Sequence, residues 1–552
     1  MAVRFKTLLA PLLAVTSLHL TAPVSAAAKS LPHLVPQGTT QQLIVDDQPF
    51  LIIGGELGNS TASSLDYLRP HWKLFNELNM NTVLAPVSWE MVEPVEGRFD
   101  FAILDGLIRD ARAANQRLVL LWFGAWKNSM SSYVPSWVKR DQQRFPRVAL
   151  PSGRGVEILS PFSPANRDAD AKAFAAMMAH LKKLDGDQHT VIMVQVENEI
   201  GMLPLARDHS PLANAAYAGP VPDRLMQHLA AHRDRLEPEL RRLWEVNGAR
   251  MSGTWAEVFG TSTWGQEVFT AWHFAQYAEA VTAAGKAQYT LPMFVNAALN
   301  RPGREPGEYP SGGPVPHLLD VWKVGAPSID MLSPDLYFPN FRELTSRFVR
   351  PDNVLFIPEA NNAGRPETAG DAFHSFGALQ AIGFSPFAIE SITGAQKEQL
   401  AGLYGLLRQI SPLILSARGT GRMAGFRPNI LFDNTVLEAP ETVVLGDYKF
   451  TVSYVDPWTP KAEQNTRSHG GIIIQTGREE FYIAGSGITV TFDTATPGPA
   501  VAGIDSAWEG RFEKGRWVPG RLMNGDQTHQ GRHVRLPPNA YGVQKVTLYR
   551  YD

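Results

Sequence analysis

Val191-Ile-Met-Val-Gln-Val-Glu-Asn-Glu-Ile-Gly201 opens as an apolar run and closes on a polar cluster, Glu197-Asn198-Glu199. A strand buried on both faces reads as a short unbroken apolar run rather than as an alternation. Carboxylates where such a strand emerges are costly unless they are partnered or used. A second run has the same shape, Asn353-Val-Leu-Phe-Ile-Pro-Glu359-Ala-Asn-Asn362. In a (β/α)8 barrel the C-terminal ends of the strands carry the active site. Two such strands, each delivering a glutamate, predict an opposed pair of carboxylates, the pair that glycosyl transfer uses.

Working outward, strands and helices alternate. Leu65, Leu68, Trp72, Phe75 and Leu78 recur at helical spacing, and Thr82-Val-Leu-Ala85 follows as a strand. Phe101, Leu104, Leu107, Ile108 and Ala111 form a helical stripe before the strand Arg117-Leu-Val-Leu-Leu-Trp-Phe123. Phe174, Met177, Met178, Leu181 and Leu184 do the same before Val191. Further strands are read at residues 291–296, 328–332, 353–357 and 384–389, and the first of the series at residues 49–53. Eight units of strand and helix predict a parallel sheet closed into a TIM barrel. Before it, Gln42-Leu-Ile-Val45 and Asp46-Asp47-Gln48 read as a hairpin arm and turn.

After Arg418 the runs become short, β-branched and separated by Gly, Pro, Asn or Asp, as in Gly471-Ile-Ile-Ile-Gln475 and Ile488-Thr-Val-Thr-Phe492. That pattern predicts a C-terminal antiparallel β-sandwich-like domain. The expected division is a signal peptide over residues 1–26, a catalytic barrel over 27–417 and an all-β accessory domain over 418–552. Arg4 and Lys6, an apolar run over residues 8–20 and Val24-Ser25-Ala26 carry the signal-peptide reading. It implies a periplasmic or secreted protein. No later stretch reads as apolar enough to span a bilayer.

Composition excludes several classes. With 51 Lys and Arg against 54 Asp and Glu, nothing favours nucleic acid or an anionic membrane as partner. The absence of cysteine excludes disulfides, thiol nucleophiles and Cys-ligated metals. His228 and His232 have the i,i+4 spacing of a metal site but not the His-Glu-x-x-His pattern, so no metal and no cofactor are expected.

The chemistry then falls on named residues. One carboxyl of the pair must be protonated and the other ionised, so their environments must differ. Strands four and seven lie on opposite sides of a barrel mouth, which lets Glu199 and Glu359 face each other. Asn198 offers an amide beside Glu199, and Tyr337, after the sixth strand, offers a phenol to hold Glu359. Trp89, Trp126 and Asn128 lie just past strands two and three and suggest a sugar-lined pocket, since tryptophan rings stack on the C–H faces of sugars. Trp122, Glu90 and Glu93 lie nearby. Period-two alternation puts Glu197 on the same face as Glu199, so one must be inside or a bulge must intervene. Glu197 reads as a buried structural carboxylate with an Arg or Lys partner.

Residues 74–101, with Asn81-Thr-Val83, Trp89, Glu93-Pro94 and Gly97-Arg-Phe-Asp-Phe101, resemble the first βαβ unit of family 35 glycoside hydrolases, the β-galactosidases. Val194-Gln-Val-Glu-Asn-Glu-Ile-Gly201 closely resembles that family's acid/base strand. The resemblance covers roughly residues 40–415 and is to the bacterial branch whose barrel carries a C-terminal β domain. It implies a retaining exo-β-galactosidase with Glu199 as general acid/base and Glu359 as nucleophile, and a carbohydrate partner such as a plant xyloglucan side chain. Pro86 stands where better-known members have Tyr, and Ala125-Trp126-Lys127 where they have an acidic galactose contact. Another β-glycoside, such as a β-glucoside or α-L-arabinopyranoside, is the alternative substrate. A non-catalytic carbohydrate-binding barrel is the alternative from a different class.

Overall fold

The computed structural model describes residues 1–3 and 29–552. From residue 4 onward the signal-peptide reading lies outside the described residues. Eight parallel strands close into a barrel in chain order: Ile52–Glu56, Thr82–Ser88, Arg117–Lys127, Val191–Asn198, Met293–Ala298, Met331–Leu336, Ile357–Ala360 and Gly383–Pro386. These are barrel strands 1 to 8 below. Every residue of strand 4 is buried, as its unbroken apolar run requires. Strand 6 begins and ends later than its expected span of residues 328–332, because Pro334 and Asp335 read as a stop but lie inside the strand. Strands 7 and 8 are four residues each; strand 7 sits at the rim end of its apolar run, whereas strand 8 begins one residue before its expected span of residues 384–389 and ends at Pro386.

Inside the barrel, Ile52, Leu84, Val119, Leu121, Phe294, Met331 and Phe356 form one buried cluster. Leu43 and Val45 join it from an antiparallel ribbon of His33–Gln37, Thr40–Val45 and Gln48–Pro49. The ribbon turns at Asp46 and Asp47, both at positive φ (53° and 62°) as a two-residue hairpin loop needs. Asp46 accepts from Arg117 at 2.7 Å, at the start of strand 3, and contacts His189 at 2.9 Å, just before strand 4. The ribbon therefore caps the N-terminal end of the barrel and leaves the C-terminal end open.

Outside, the helices lay their apolar stripes on the strands. Leu104, Leu107, Ile108 and Ala111 of Ala102–Ala113 are buried there, as are Phe174, Met177, Met178 and Leu181 of Pro164–Asp185. Ser163 caps the second of these helices by accepting from Asn166 N–H, with Pro164 opening the first turn. The last barrel helix, Gly394–Ala417, corrects one expectation. It has 24 residues with a mean hydropathy of 1.2 over its apolar window, enough by length and composition to cross a membrane. Its apolar face is spent on the barrel instead: Leu400, Leu403, Leu407, Ile410 and Ile414 are buried, and Tyr404 donates to the Gly54 carbonyl at 2.7 Å.

Beyond Ala417 a six-stranded and a four-stranded antiparallel sheet pack face to face. Ile473, Phe481, Ile483, Val546 and Leu548 of the larger sheet meet Phe450, Val452, Ile488 and Val490 of the smaller. The neighbours of alternate parity, Ile472, Ile474, Tyr482 and Ala484, point the other way and join the barrel's outer core. This sheet is buried on both faces, which is why Gly471-Ile-Ile-Ile-Gln475 has no alternation. The approach is close: a Cβ on Gly377, at the end of helix Thr368–Gly377, would lie 2.6 Å from Gly425 Cα in the sheet. Only glycine fits that crossing.

Candidate active site

The open end of the barrel gathers the polar residues that terminate its strands. Strand 4 finishes with two residues in the left-handed region, Glu197 (φ 60°) and Glu199 (φ 45°). Such backbone is strained for a side-chain-bearing residue and persists only where its surroundings hold it. Here strand 3 holds it with a bulge. Trp122 pairs with Val196 and Lys127 with Asn198, so strand 3 advances five residues while strand 4 advances two. The bulge ends in a tight turn at Asn128 and Ser129, both at positive φ, with Lys127 N–H donating to the Met130 carbonyl at 2.9 Å. Ser129 N–H donates to the Glu199 carbonyl at 3.1 Å. The kink separates the two glutamates that alternation alone would place together: Glu199 turns into the mouth and Glu197 away from it.

Each mouth residue is then held by another. Asn128 Nδ2 donates to Glu199 Oε2. Glu199 N–H donates to Asn296 Oδ1 at 2.9 Å, and Asn296 Nδ2 donates to Asp335 Oδ2 at 2.5 Å. Lys127 Nζ donates to Asn198 Oδ1 at 2.9 Å. Tyr337 donates its hydroxyl proton to Glu359 Oε1, and strand register sets Asp335 beside Glu359. Carboxylate oxygens of Glu199, Asp335 and Glu359 lie within 4.8 Å of one another. Such a cluster also has the donor set of a cation site. Here, however, Asn128, Asn296 and Tyr337 each already give it a hydrogen bond, and the Lys127 ammonium supplies positive charge nearby.

Burial and crowding set the protonation. Glu199 is pushed up to about 7, first by burial and then by the negative charge of Glu359, against the opposing pull of Lys127. Burial, followed by the charge of Glu359, also raises Glu56 and Asp335 well above the ordinary carboxylate range. The mouth is thus a place where Glu199 holds its proton toward neutral pH beside Glu359, which accepts from a phenol.

The structure brings together Glu199, Glu359, Asn198, Asn128 and Tyr337 as expected from sequence. It does not bring Trp89 or Trp126 to a sugar. Both are fully buried. Trp89 donates to Glu93 at 3.0 Å and stands edge-on to Trp137; Trp126 packs edge-on against Tyr277 and Phe274 of helix Thr263–Lys286. The strand 3 bulge turns the Trp126 ring outward into the helix layer, and the helical turn Trp89–Val92 folds Trp89 beneath the rim. Glu56, Lys127, Asn296 and Asp335 were not singled out by sequence. Their signal is that each stands at or near the rim end of a barrel strand. His228 and His232 lie elsewhere: His228 contacts Asp320 at 2.9 Å, and His232 the His228 carbonyl.

Glu197 differs from expectation in its partner. Among the described residues it meets no Arg or Lys; its Oε2 accepts Trp126 N–H at 2.8 Å, beside the buried carboxyl of Asp170. Asp170 in turn accepts from Trp122 Nε1 (2.9 Å), Ala125 N–H (3.1 Å) and Tyr277 O–H (3.1 Å). Burial raises both carboxyls, Glu197 furthest, so Glu197 is held toward its neutral form where a cation was expected, and a proton shared with Asp170 is the expected consequence. Glu197→Gln, which keeps a donor toward Asp170, is expected to unfold at nearly the wild-type denaturant midpoint. Glu197→Ala, which leaves the buried Trp126 N–H without its acceptor and takes the neutral carboxyl from beside Asp170, is expected to lose roughly 2–4 kcal/mol in the same urea titration. Equal losses in the two variants would contradict the shared proton.

Comparison with known proteins adds to this geometry. Residues 65–273 match the glycoside hydrolase 42 family model, described as β-galactosidase, and residues 400–535 match a domain of unknown function. The first segment therefore carries the sequence pattern of a β-galactosidase family of glycoside hydrolases. A β-galactosidase of Xanthomonas manihotis is 29% identical over 226 residues, which are 38% of this chain and 33% of that protein. The chain thus spans about a third of the length of this curated relative. Among solved structures, the β-galactosidase of Rahnella sp. R3 is 15% identical, with 66% of this chain and 56% of that one covered and a TM-score of 0.43. That of Bacillus circulans sp. alkalophilus is 15% identical, with 66% and 57% covered and a TM-score of 0.45.

Proposed function

We propose that the protein is a retaining exo-β-galactosidase that releases terminal β-D-galactose from oligo- or polysaccharides, xyloglucan side chains among them. The observation that carries this reading is the pair Glu199 and Glu359, with carboxylate oxygens within 4.8 Å and Glu199 held protonated toward neutral pH. Retaining enzymes keep their two carboxyl groups about 5–5.5 Å apart, whereas inverting ones leave room for a water. Glu359 attacks the anomeric carbon as the glycosidic C–O bond breaks, and the Glu199 proton passes to the leaving oxygen. Water then attacks the galactosyl ester from the face the leaving group vacated. Glu199 takes its proton, and galactose departs with net retention. Asn198, held by Lys127, presents an amide to the sugar; Tyr337 orients Glu359.

The family model and the relative support galactose as the sugar. Assignment to family 35 rests on the finer likeness of residues 194–201. A cleaved signal and a periplasmic or secreted location suit a polysaccharide substrate. Initial rates on aryl β-galactoside, β-glucoside and α-L-arabinopyranoside test the sugar. The galactoside is expected to give the highest kcat/KM, and preference for either other glycoside would overturn galactose while keeping the chemistry.

A further inference from the structure

Barrel strand 1 ends on a carboxyl to which the double displacement gives no task. Glu56 is the last residue of Ile52–Glu56 and is 1% exposed. Alternation puts it on the face of Ile52, which belongs to the cluster inside the barrel, while Ile53 and Leu57 join the layer outside. Its carboxyl therefore projects into the mouth. There it feels the charges of Glu359 from strand 7, Glu199 from strand 4 and Lys127 from strand 3, and it acts in turn on Asp335 and Tyr337 from strand 6 and its exit.

Two buried oxygens in this cluster stand without an N–H donor or a hydroxyl. Tyr337 donates to Glu359 Oε1, but Glu359 Oε2 is buried and receives neither from any other described residue. Glu56 Oε1 is buried in the same condition. The Lys127 ammonium is already on Asn198 Oδ1 at 2.9 Å. What remains is the hydrogen bond that the Glu56 and Glu359 carboxyls make with each other. Two carboxylates have no proton to share; a carboxylic acid and a carboxylate do, and their bond is a strong one because its acceptor is charged. The nucleophile must be the ionised member, so the proton belongs to Glu56, where burial and then the charge of Glu359 hold it. We infer that Glu56 is a positioning residue for the nucleophile: as a carboxylic acid it donates to Glu359 Oε2 and, with Tyr337 on Oε1, fixes both oxygens of the attacking group. This rests on the glycosidase reading above, in which Glu359 attacks the anomeric carbon. A neutral donor orients the carboxylate and favours its charged form without pairing it to a cation.

The test sets Glu56→Gln, whose amide N–H still donates, against Glu56→Leu, which has no donor. On para-nitrophenyl β-galactoside, Glu56→Leu is expected to lose roughly ten- to hundred-fold in kcat with little change in KM. The acidic limb of its kcat/KM profile, where the nucleophile takes up a proton, is expected to move up by about one pH unit. Glu56→Gln is expected to keep the wild-type limb and to lose no more than about five-fold in kcat. Infrared difference spectra, wild type minus Glu56→Gln near neutral pH, are expected to contain the carbonyl stretch of one un-ionised carboxylic acid. That measurement needs neither turnover nor a folded leucine variant. Equal losses in the two variants, an acidic limb that Glu56→Leu leaves in place, or the lack of an acid band would each overturn the assignment. A wild type inactive on β-galactosides but showing the acid band would fail the glycosidase reading instead, so the two failures are told apart.

Discussion

Glu359→Ala is expected to lower kcat on aryl β-galactosides by roughly four to six orders of magnitude. Azide is expected to restore part of the loss, with α-galactosyl azide as the product. Glu359 closes barrel strand 7, is nearly buried, and accepts the Tyr337 hydroxyl proton, so its position is fixed before any sugar arrives. Alanine removes the nucleophile and leaves a space beside the anomeric carbon that a small anion fills. Glu199 is untouched and an activated leaving group needs little acid assistance, so azide attack inverts the anomeric centre. Rescue that gives the β-azide would assign Glu359 the acid/base role, because azide then replaces the second-step water after a retained first step. No rescue, with the fold intact, would remove Glu359 from the chemistry.

Glu199→Gln is expected to act selectively. For sugar leaving groups kcat should fall by about 10²–10⁴, the contribution of a positioned general acid, and much less for dinitrophenyl galactoside in its first step. In wild type, kcat/KM should decline as pH rises through about 7, where Glu199 loses the proton it must donate. The variant should lack that limb. Stability moves in the same window. The Glu199 carboxyl is near 4.5 when unfolded and about 7 when folded, so the unfolded chain releases its proton first as pH rises. Its stabilising share is full below about 4.5 and fades through 7, on the order of 3 kcal/mol in total. Glu199→Gln should therefore be more stable than wild type at pH 8 and nearly equal to it at pH 4. Equal unfolding temperatures at both pH values would mean that burial does not hold the proton.

Much of this site was legible because a parallel barrel leaves a simple trace. Strand 4 is apolar but for Gln195 until its polar exit, and a like contrast marks Glu359. What was not legible depends on contacts distant in sequence. Trp126 reads as a rim aromatic until the five-against-two register of strands 3 and 4 shows its ring rotated outward. Glu197 lies beside Asp170, on a helix 27 residues earlier, and a carboxyl held neutral by burial leaves no sequence mark. Lys127 and Asn198 are neighbours only through that bulge. In the C-terminal unit, Ile472-Ile473-Ile474 displays a sheet buried on both sides, but which surface covers each side follows only from the docking of helix Thr368–Gly377.

The most direct measurement is to trap the covalent intermediate. A deoxyfluoro-galactosyl inhibitor with an activated leaving group slows breakdown of the ester more than its formation, so the labelled enzyme accumulates. Peptide mass spectrometry then reads which carboxyl carries the sugar. The predicted result is one galactosyl label per chain, on Glu359, absent from Glu359→Ala and released with recovery of activity once the inhibitor is removed. A label on Glu56, Asp335 or Glu199, or turnover of galactosides with no label at all, would contradict a double displacement through Glu359.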